Sequence, residues 1–369
     1  MSAATSSATT VAEPVEAPRQ ARGTGTGDAD DRTRRRSLMT RLLVRPEIGS
    51  LVGGFAIMVF FLAVAPSFRN LDNIGTILYQ ASTIGMMAVP IAMLMIGGEF
   101  DLSAGVLVTT AGLAAALLGW WFNLNVWAAV GLALLVTLAV GLVNGLLLVR
   151  TKLPSFLTTL STFFVLQGMN LGLTRWVTGN VSTHQIADMQ GWESARRVFA
   201  SQFALQVAGH SITLRITLLF WLLLTMLGAW IMLRTRQGNW VLAVGGDADA
   251  ARASGVPVRR TKVALYLFVA FCAWLSGMHL LFGYGVVQSG EGVGKEFIYI
   301  IAAVIGGCLM NGGFGSVVGA SVGALIYGMT QLGINYAGWN PDWFKTFLGV
   351  MLLASTLLNV WLKRKAEQR

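Results

Sequence analysis

Ten apolar stretches separated by polar connections constrain this chain more than any other feature. They cover residues 48–65, 74–98, 104–121, 126–149 and 156–173 in the first half. The second half contributes 216–233, 263–283, 297–310, 317–334 and 344–362. A helix that crosses the ~30 Å hydrocarbon core of a bilayer needs about 20 mostly apolar residues, at ~1.5 Å of rise each. Most of the stretches meet that length. The stretch 297–310 is short and ends in glycines, which predicts one broken or partly re-entrant span. Charged residues make up 12% of the 369, half the share of about 25% found in soluble domains. The expectation is an all-α integral membrane protein with about ten transmembrane helices.

Both ends of the apolar block are polar. Residues 1–46 are rich in Ala, Thr, Ser, Gly and Arg and read as a disordered tail. A short C-terminal tail is expected over 364–369, leaving 47–363 as the membrane domain. No small-residue cleavage site follows the basic block Arg34, Arg35 and Arg36 at signal-peptide spacing, so a secretory signal is not expected. Lys and Arg accumulate on the cytoplasmic side of membrane proteins, and this excess gives the orientation. With both termini inside, 18 Lys and Arg near the spans fall inside. Seven fall outside: Arg69, Arg175, Arg196, Arg197, Arg215, Lys295 and Lys345. Both termini and the connection 234–262 are therefore expected in the cytoplasm. The long connection 174–211, with a short surface helix over 193–203, is expected outside. The net charge of +10 is scattered over span flanks rather than gathered on one face, which speaks against nucleic acid as a partner.

The connection 234–262 is the one long polar interruption of the second half. At its centre, Asp247-Ala-Asp-Ala-Ala-Arg-Ala-Ser254 predicts about two helical turns. Asp247 serves as N-cap, Asp249 sits at the positive helix end, Arg252 lies toward the other end, and Gly255 and Pro257 stop the helix. Two turns do not hold alone in water, because nucleation costs more than they return. The segment is either a solvated loop or a helix docked on a partner. The small side chains of Ala248, Ala250, Ala251, Ala253 and Ser254 suit docking, since they let a helix seat deeply in a groove.

Catalytic signatures are missing. The histidines His184, His210 and His279 are too far apart for a local metal site, and Cys272 and Cys308 sit in apolar runs as small core residues. Gly290-Glu-Gly-Val-Gly-Lys295 looks like a phosphate-binding loop and fails as one. Ser289 stands where the first glycine belongs, and Glu296 where Ser or Thr would hold magnesium. No cofactor is expected on this chain, and any ATP and Mg2+ belong to a partner subunit.

Ionisable groups near membrane depth are costly and call for a reading. Glu99, Asp101 and Ser103, between the second and third spans, either cap the next helix at the interface or line the inner end of a path. Asn144, Gln167 and Asn170, with Gln80, Gln331 and Asn335, either bridge helices or line a route for a hydroxylated solute. The spans hold almost no carboxylates or histidines. That argues against proton coupling and toward an external energy source.

Three ordered motifs carry a resemblance. The first is Gly97-Gly-Glu-Phe-Asp-Leu-Ser-Ala-Gly105. The second is Gly245-Gly-Asp-Ala-Asp-Ala-Ala-Arg-Ala-Ser-Gly-Val256, followed by Lys262 and Tyr266. The third is Ala302-Ala-Val-Ile-Gly-Gly307 with Gly312-Gly-Phe-Gly-Ser-Val-Val-Gly319. A glycine pair opening a span in both the first and third is an internal echo of the kind seen in transporters built from repeats. Together they resemble the permease subunits of bacterial ABC importers for sugars, of the ribose, xylose and arabinose type, over about residues 48–362. The resemblance implies a multi-pass protein of the cell membrane, paired with a second permease copy on two cytoplasmic ABC ATPase subunits. An extracytoplasmic sugar-binding protein would deliver the solute. The second motif then matches a coupling helix, with Asp247, Asp249, Ala251, Arg252, Ser254 and Gly255 toward the ATPase. Asp247 stands where Asn is usual. A nucleoside or sugar-like signal as cargo, a secondary transporter or channel needing no ATPase, and a non-transporting membrane scaffold are the alternatives.

Overall fold

The computed structural model describes residues 46–207 and 209–367, so the tail expected over the first 45 residues lies outside the described residues. The chain order is α1 (Pro46–Val64), α2 (Ile74–Ile96), α3 (Ala104–Trp121), α4 (Val126–Thr151), α5 (Ser155–Thr178) and α6 (Trp192–Ala200). A hairpin of β1 (Gln202–Val207) and β2 (His210–Arg215) follows. Then come α7 (Ile216–Arg234), α8 (Arg236–Gly246), α9 (Ala248–Ala253), α10 (Val258–Tyr284), α11 (Lys295–Ile305), α12 (Val317–Tyr336) and α13 (Phe344–Glu367). The architecture is helical, as the apolar stretches require, with one two-stranded antiparallel sheet among the described residues that they do not announce.

Among the described residues, eight helices are long and apolar enough to cross a membrane: α1, α2, α3, α4, α5, α7, α10 and α12. The expected ten also counted α11 and α13. With 11 residues, α11 spans about 16 Å at ~1.5 Å per residue, roughly half a bilayer core.

Burial divides the spans into two layers. In α2 and α3, 78% of the most apolar window is buried, in α12 72% and in α10 67%. These four form an inner bundle with α11 packed among them. Only 11% of the α1 window is buried, 28% of α5, and 33% of α4 and α7. Their exposed Leu, Val, Phe and Met side chains suit contact with lipid. Inner helices approach closely where side chains are small, as intramembrane packing favours. At Gly328 of α12, for instance, a Cβ would stand 2.8 Å from the Ala81 backbone nitrogen of α2.

The connection between α5 and α7 is more structured than its polar sequence suggests. In α6, Trp192, Ala195 and Phe199 recur at helical spacing and are buried, while Glu193, Arg196 and Arg197 face out. The buried face lies on α10: Phe199 stacks on Phe282 at 5.5 Å, and Trp192 lies 5.0 Å from the same ring. The hairpin runs four residues past the expected end of this connection. It is pinned at its turn by Asp72, which accepts a hydrogen bond from the Ser211 N–H (3.2 Å) and lies 3.3 Å from His210 Nδ1.

Phe199→Ala, which removes the ring shared by α6 and α10, is expected to destabilise the fold by about 3 kcal/mol or more, read as a lowered melting temperature in detergent. Val198→Ala, on the exposed side of the same helix, is expected to leave it within the error of the melt.

Candidate functional site

The short helix in the long polar connection exists. The Asp247 carboxylate accepts the N–H groups of Asp249 (2.9 Å) and Ala250 (3.0 Å), as an N-cap should. At the other end Gly255 takes φ +82°, and the Val256 N–H returns to the Ala251 carbonyl at 3.0 Å, closing α9 with a glycine stop. Its partner for stability is its own chain. Ala251 is 5% exposed and packs with Val244 of α8 and Val258 of α10 in a small apolar cluster. Ala251 therefore does not belong to the free face on which the motif had placed it. It is turned inward, because burying that methyl is what holds two turns of helix in place. Asp247, Asp249, Arg252, Ser254 and Gly255 are exposed. Asp249 and Arg252 pair at 2.7 Å, and the Ser254 hydroxyl donates to the Ala250 carbonyl at 3.0 Å.

Directly before α9, three glycine pairs from the three motifs meet. A Cβ on Gly245 would run into the Ile96 carbonyl and stand 2.7 Å from the Gly313 nitrogen. One on Gly98 would lie 3.3 Å from the Gly245 Cα, and one on Gly312 would lie 2.7 Å from the Gly98 Cα. The Gly313 N–H donates to the Ile96 carbonyl at 2.8 Å. Backbone thus lies on backbone where α2 ends, α9 begins and the loop into α12 turns.

The echo between the first and third motifs is a matched pair of helix ends. After α2, the Gly98 N–H donates to Met95 O (2.9 Å) and the Glu99 N–H to Leu94 O (3.1 Å). After α11, the Gly307 N–H donates to Val304 O (2.9 Å) and the Cys308 N–H to Ala303 O (3.0 Å). Gly98 and Gly307 hold φ of +81° and +94°, a conformation that costs a residue with a Cβ and not glycine.

The loop from Glu99 to Ser103 is a hub. Glu99 pairs with Lys262 of α10, and the Tyr266 hydroxyl donates to the Phe100 carbonyl at 2.8 Å. The Ser155 and Thr159 hydroxyls of α5 accept the Phe100 and Leu102 N–H groups, both at 3.1 Å. Ser103 takes the N-cap position of α3, but its hydroxyl donates to Asp101 (2.6 Å) instead of capping. Asn144 of α4 donates to the Ser103 hydroxyl (3.0 Å) and accepts from Thr162 of α5 (2.6 Å). Of the path or gate candidates, Asp101, Ser103 and Asn144 therefore form one chain of hydrogen bonds, with Glu99 in the same loop. Asn170 stands apart, tying α5 to α3 through Thr110 (3.0 Å) and Val106 O (3.3 Å). Gln167 is half-buried and outside these networks. Ser155, Thr159 and Thr162 were not singled out from the sequence. Polar residues four apart at the start of an apolar helix were the available signal.

The failed phosphate loop has a structural use. The Glu296 carboxylate accepts the Gly294 N–H at 3.0 Å, closing the loop that opens α11. A Cβ on Gly292 would run into the Gly105 carbonyl of α3, so the loop lies flat on that helix.

The chain matches the family described as "Branched-chain amino acid transport system / permease component" over residues 73–356. It is 29% identical to the ribose import permease protein of Escherichia coli (strain K12), across 84% of this chain and 92% of that one. An inner membrane ABC transporter permease protein of the same organism is 30% identical across 83% of this chain and 88% of that one. The galactose/methyl galactoside import permease protein of E. coli is 29% identical across 83% of this chain and 93% of that one. No solved structure matches.

Burial pushes the Asp101 carboxyl up to about 6, against the hydrogen bonds from Ser103 that lower it. The folded state thus holds this proton more tightly than the unfolded chain. Asp101 costs nothing below about pH 4 and destabilises increasingly as pH rises to about 6, by at most ~3 kcal/mol. Melts of Asp101→Asn across that range are expected to fall less with rising pH than those of the wild type.

Proposed function

The chain belongs to the branched-chain amino acid transport system / permease component family, and from that premise we propose that it is the membrane-spanning subunit of an ATP-driven importer, forming the path for a sugar. In this reading ten segments enter the membrane, α11 only in part. Both termini and α9 face the cytoplasm, consistent with the 18-to-seven excess of Lys and Arg on that side. ATP and Mg2+ are held by cytoplasmic ATPase subunits. An extracytoplasmic binding protein meets the α6 and hairpin side, and a second permease copy completes the path. Gly168 and Gly172 support that last contact: four apart on exposed α5, they have open space where a Cβ would stand.

The observation that carries the reading is α9. It is capped at both ends, anchored from within by Ala251, and free on the face of Asp249, Ala250, Arg252 and Ala253. It is continuous with Gly245 at the glycine junction. Contacts between side chains yield by changing rotamer, whereas carbonyl against Cα does not. When two ATPase subunits close on ATP and carry the docked helices with them, the shift passes to the end of α2 and to the loop entering α12. The hydrogen-bonded chain of Asp101, Ser103 and Asn144 would then act as the inner gate. Outward-open and inward-open states are exchanged because the partner binds one of them better.

Sugar as cargo is supported by relatives named for ribose and galactose. The family description names branched-chain amino acids, which is the second reading. Uptake of radiolabelled ribose and galactose against leucine, in vesicles with the co-encoded partners, separates the two.

Coupling is tested at Arg252, because Gly255 at φ +82° would be strained by any side chain. The exposed pair with Asp249 contributes only ~0–1 kcal/mol, so Arg252→Glu is expected to fold and insert normally. Solute uptake per ATP hydrolysed is expected to fall at least about tenfold in reconstituted vesicles. Undiminished coupling would remove α9 from the mechanism.

A further inference from the structure

On the side of the inner bundle away from the glycine junction lies a cavity of about 270 Å3 between α2, α10, α11 and α12. Of the amides read from the sequence as bridges or path residues, Gln80 and Gln331 line it, whereas Glu99, Asp101, Ser103, Asn144, Gln167 and Asn170 do not. Its wall is rich in neutral hydrogen-bonding groups: Tyr79, Tyr284, Tyr299, Tyr327, Gln80 and Gln331. Its volume is below the ~300–1,000 Å3 of pockets for drug-sized ligands, so it suits one small solute.

Two wall residues each carry a buried polar atom with no hydrogen-bond partner among the described residues, Gln331 at Oε1 and Ser276 at its hydroxyl. Orphaned buried polar atoms are costly and call for an explanation. A carbonyl oxygen such as that of Gln331 can only accept, so what satisfies it must bring a donor. The charges on the wall are already matched, since Glu291, in the turn before α11, lies 3.6 Å from Lys295 at its start. His279 is also committed. Its Nδ1 lies 2.8 Å from the Phe199 carbonyl, which can only accept, so that nitrogen carries hydrogen. In the neutral ring, Nε2 then accepts from the Tyr79 hydroxyl at 3.1 Å. Among the described residues, the wall therefore offers unfilled neutral hydrogen bonds and a carboxylate and an ammonium that face each other, with Arg215 held outside it over the Tyr79 ring at 3.9 Å.

We propose that this cavity binds one neutral, polyhydroxylated solute within a single permease chain, with Gln331 and Ser276 as ligand contacts. Hydroxyl groups both donate and accept, which is what this wall lacks. Location gives the site a use. Residues 79–86 of α2 and 327–331 of α12 line it, and the same two helices run to the glycine junction at their other ends. Movement at the junction therefore moves two sides of the cavity. The inference rests on the importer reading for its role in transport, but the site itself is defined by binding.

Full-length permease in nanodiscs, without ATPase or binding protein, is titrated calorimetrically with D-ribose, D-galactose and L-leucine. Ribose or galactose is expected to bind and leucine not to. Gln331→Leu is expected to weaken sugar binding about tenfold. Ser276→Ala is expected to weaken it as well, while the ligand-free melting temperature does not fall, because the hydroxyl removed has no partner among the described residues. The proposal is overturned if neither sugar binds, if leucine displaces them, or if both variants bind like the wild type. Sugar uptake by the full importer alongside an isolated permease that binds neither sugar would sink the cavity site and leave the importer reading standing.

Discussion

The rest of the structure depends on backbone lying directly on backbone at Gly98, Gly245 and Gly312. Peptide units can approach so closely only where no Cβ intervenes: Gly245 and Gly312 would collide with neighbouring backbone if they carried one, and a Cβ on Gly98 would stand 3.3 Å from the Gly245 Cα at a φ of +81° that already disfavours it. The contact positions the start of α9, fixes the end of α2 and anchors the loop that leads into α12. The hub from Glu99 to Ser103 follows immediately, and its backbone N–H groups are taken up by Ser155 and Thr159 as well as by its own turn. A polar loop could not otherwise sit buried, because each unpaired backbone group would add a desolvation cost.

The matched endings of α2 and α11 give the junction a rough symmetry. Each helix stops on a glycine pair with the same hydrogen-bond offsets, and each is followed by a helix with serine at its N-cap. The two copies then diverge. After α2 the connection is short, buried and charged, tied down by Lys262 and Tyr266. After α11 it is longer and rich in glycine, and it closes over the junction from the other side. One copy has become the hub and the other the lid of the same contact.

Much of the helical frame was legible because apolar stretches of span length admit few alternatives. The shortness of α11 was legible from the glycines that end it, and α9 from Asp247 and Gly255. What was not legible depends on contacts between distant parts of the chain. Ala251 was grouped with the docking face because small residues suit docking, but a small residue also suits burial against the chain itself, and here that won. The three glycine pairs were visible as motifs, yet nothing local to any of them says that they meet. Ser155 and Thr159 serve a loop 55 and 57 residues away, so their role was not readable from α5 alone. The hairpin did leave a signal, since Phe203, Leu205 and Val207, then Ile212 and Leu214, alternate with mostly polar residues, but it falls in a connection that the span pattern marks only as polar. His210 and Ser211 acquire a structural role only through Asp72, 138 and 139 residues earlier.

The separation into layers has a consequence for how such a protein can adapt. Cavity, hub and junction are built mainly from α2, α3, α10, α11 and α12, whereas the surface offered to lipid belongs mostly to α1, α4, α5 and α7. A bilayer that is thicker, thinner or stiffer acts first on the outer helices, through the length of their apolar faces and the residues anchoring their ends. Those faces can drift in sequence to follow the membrane while the contacts of the inner bundle stay constant. The fold thus keeps adjustment to its solvent largely separate from the parts that would move cargo.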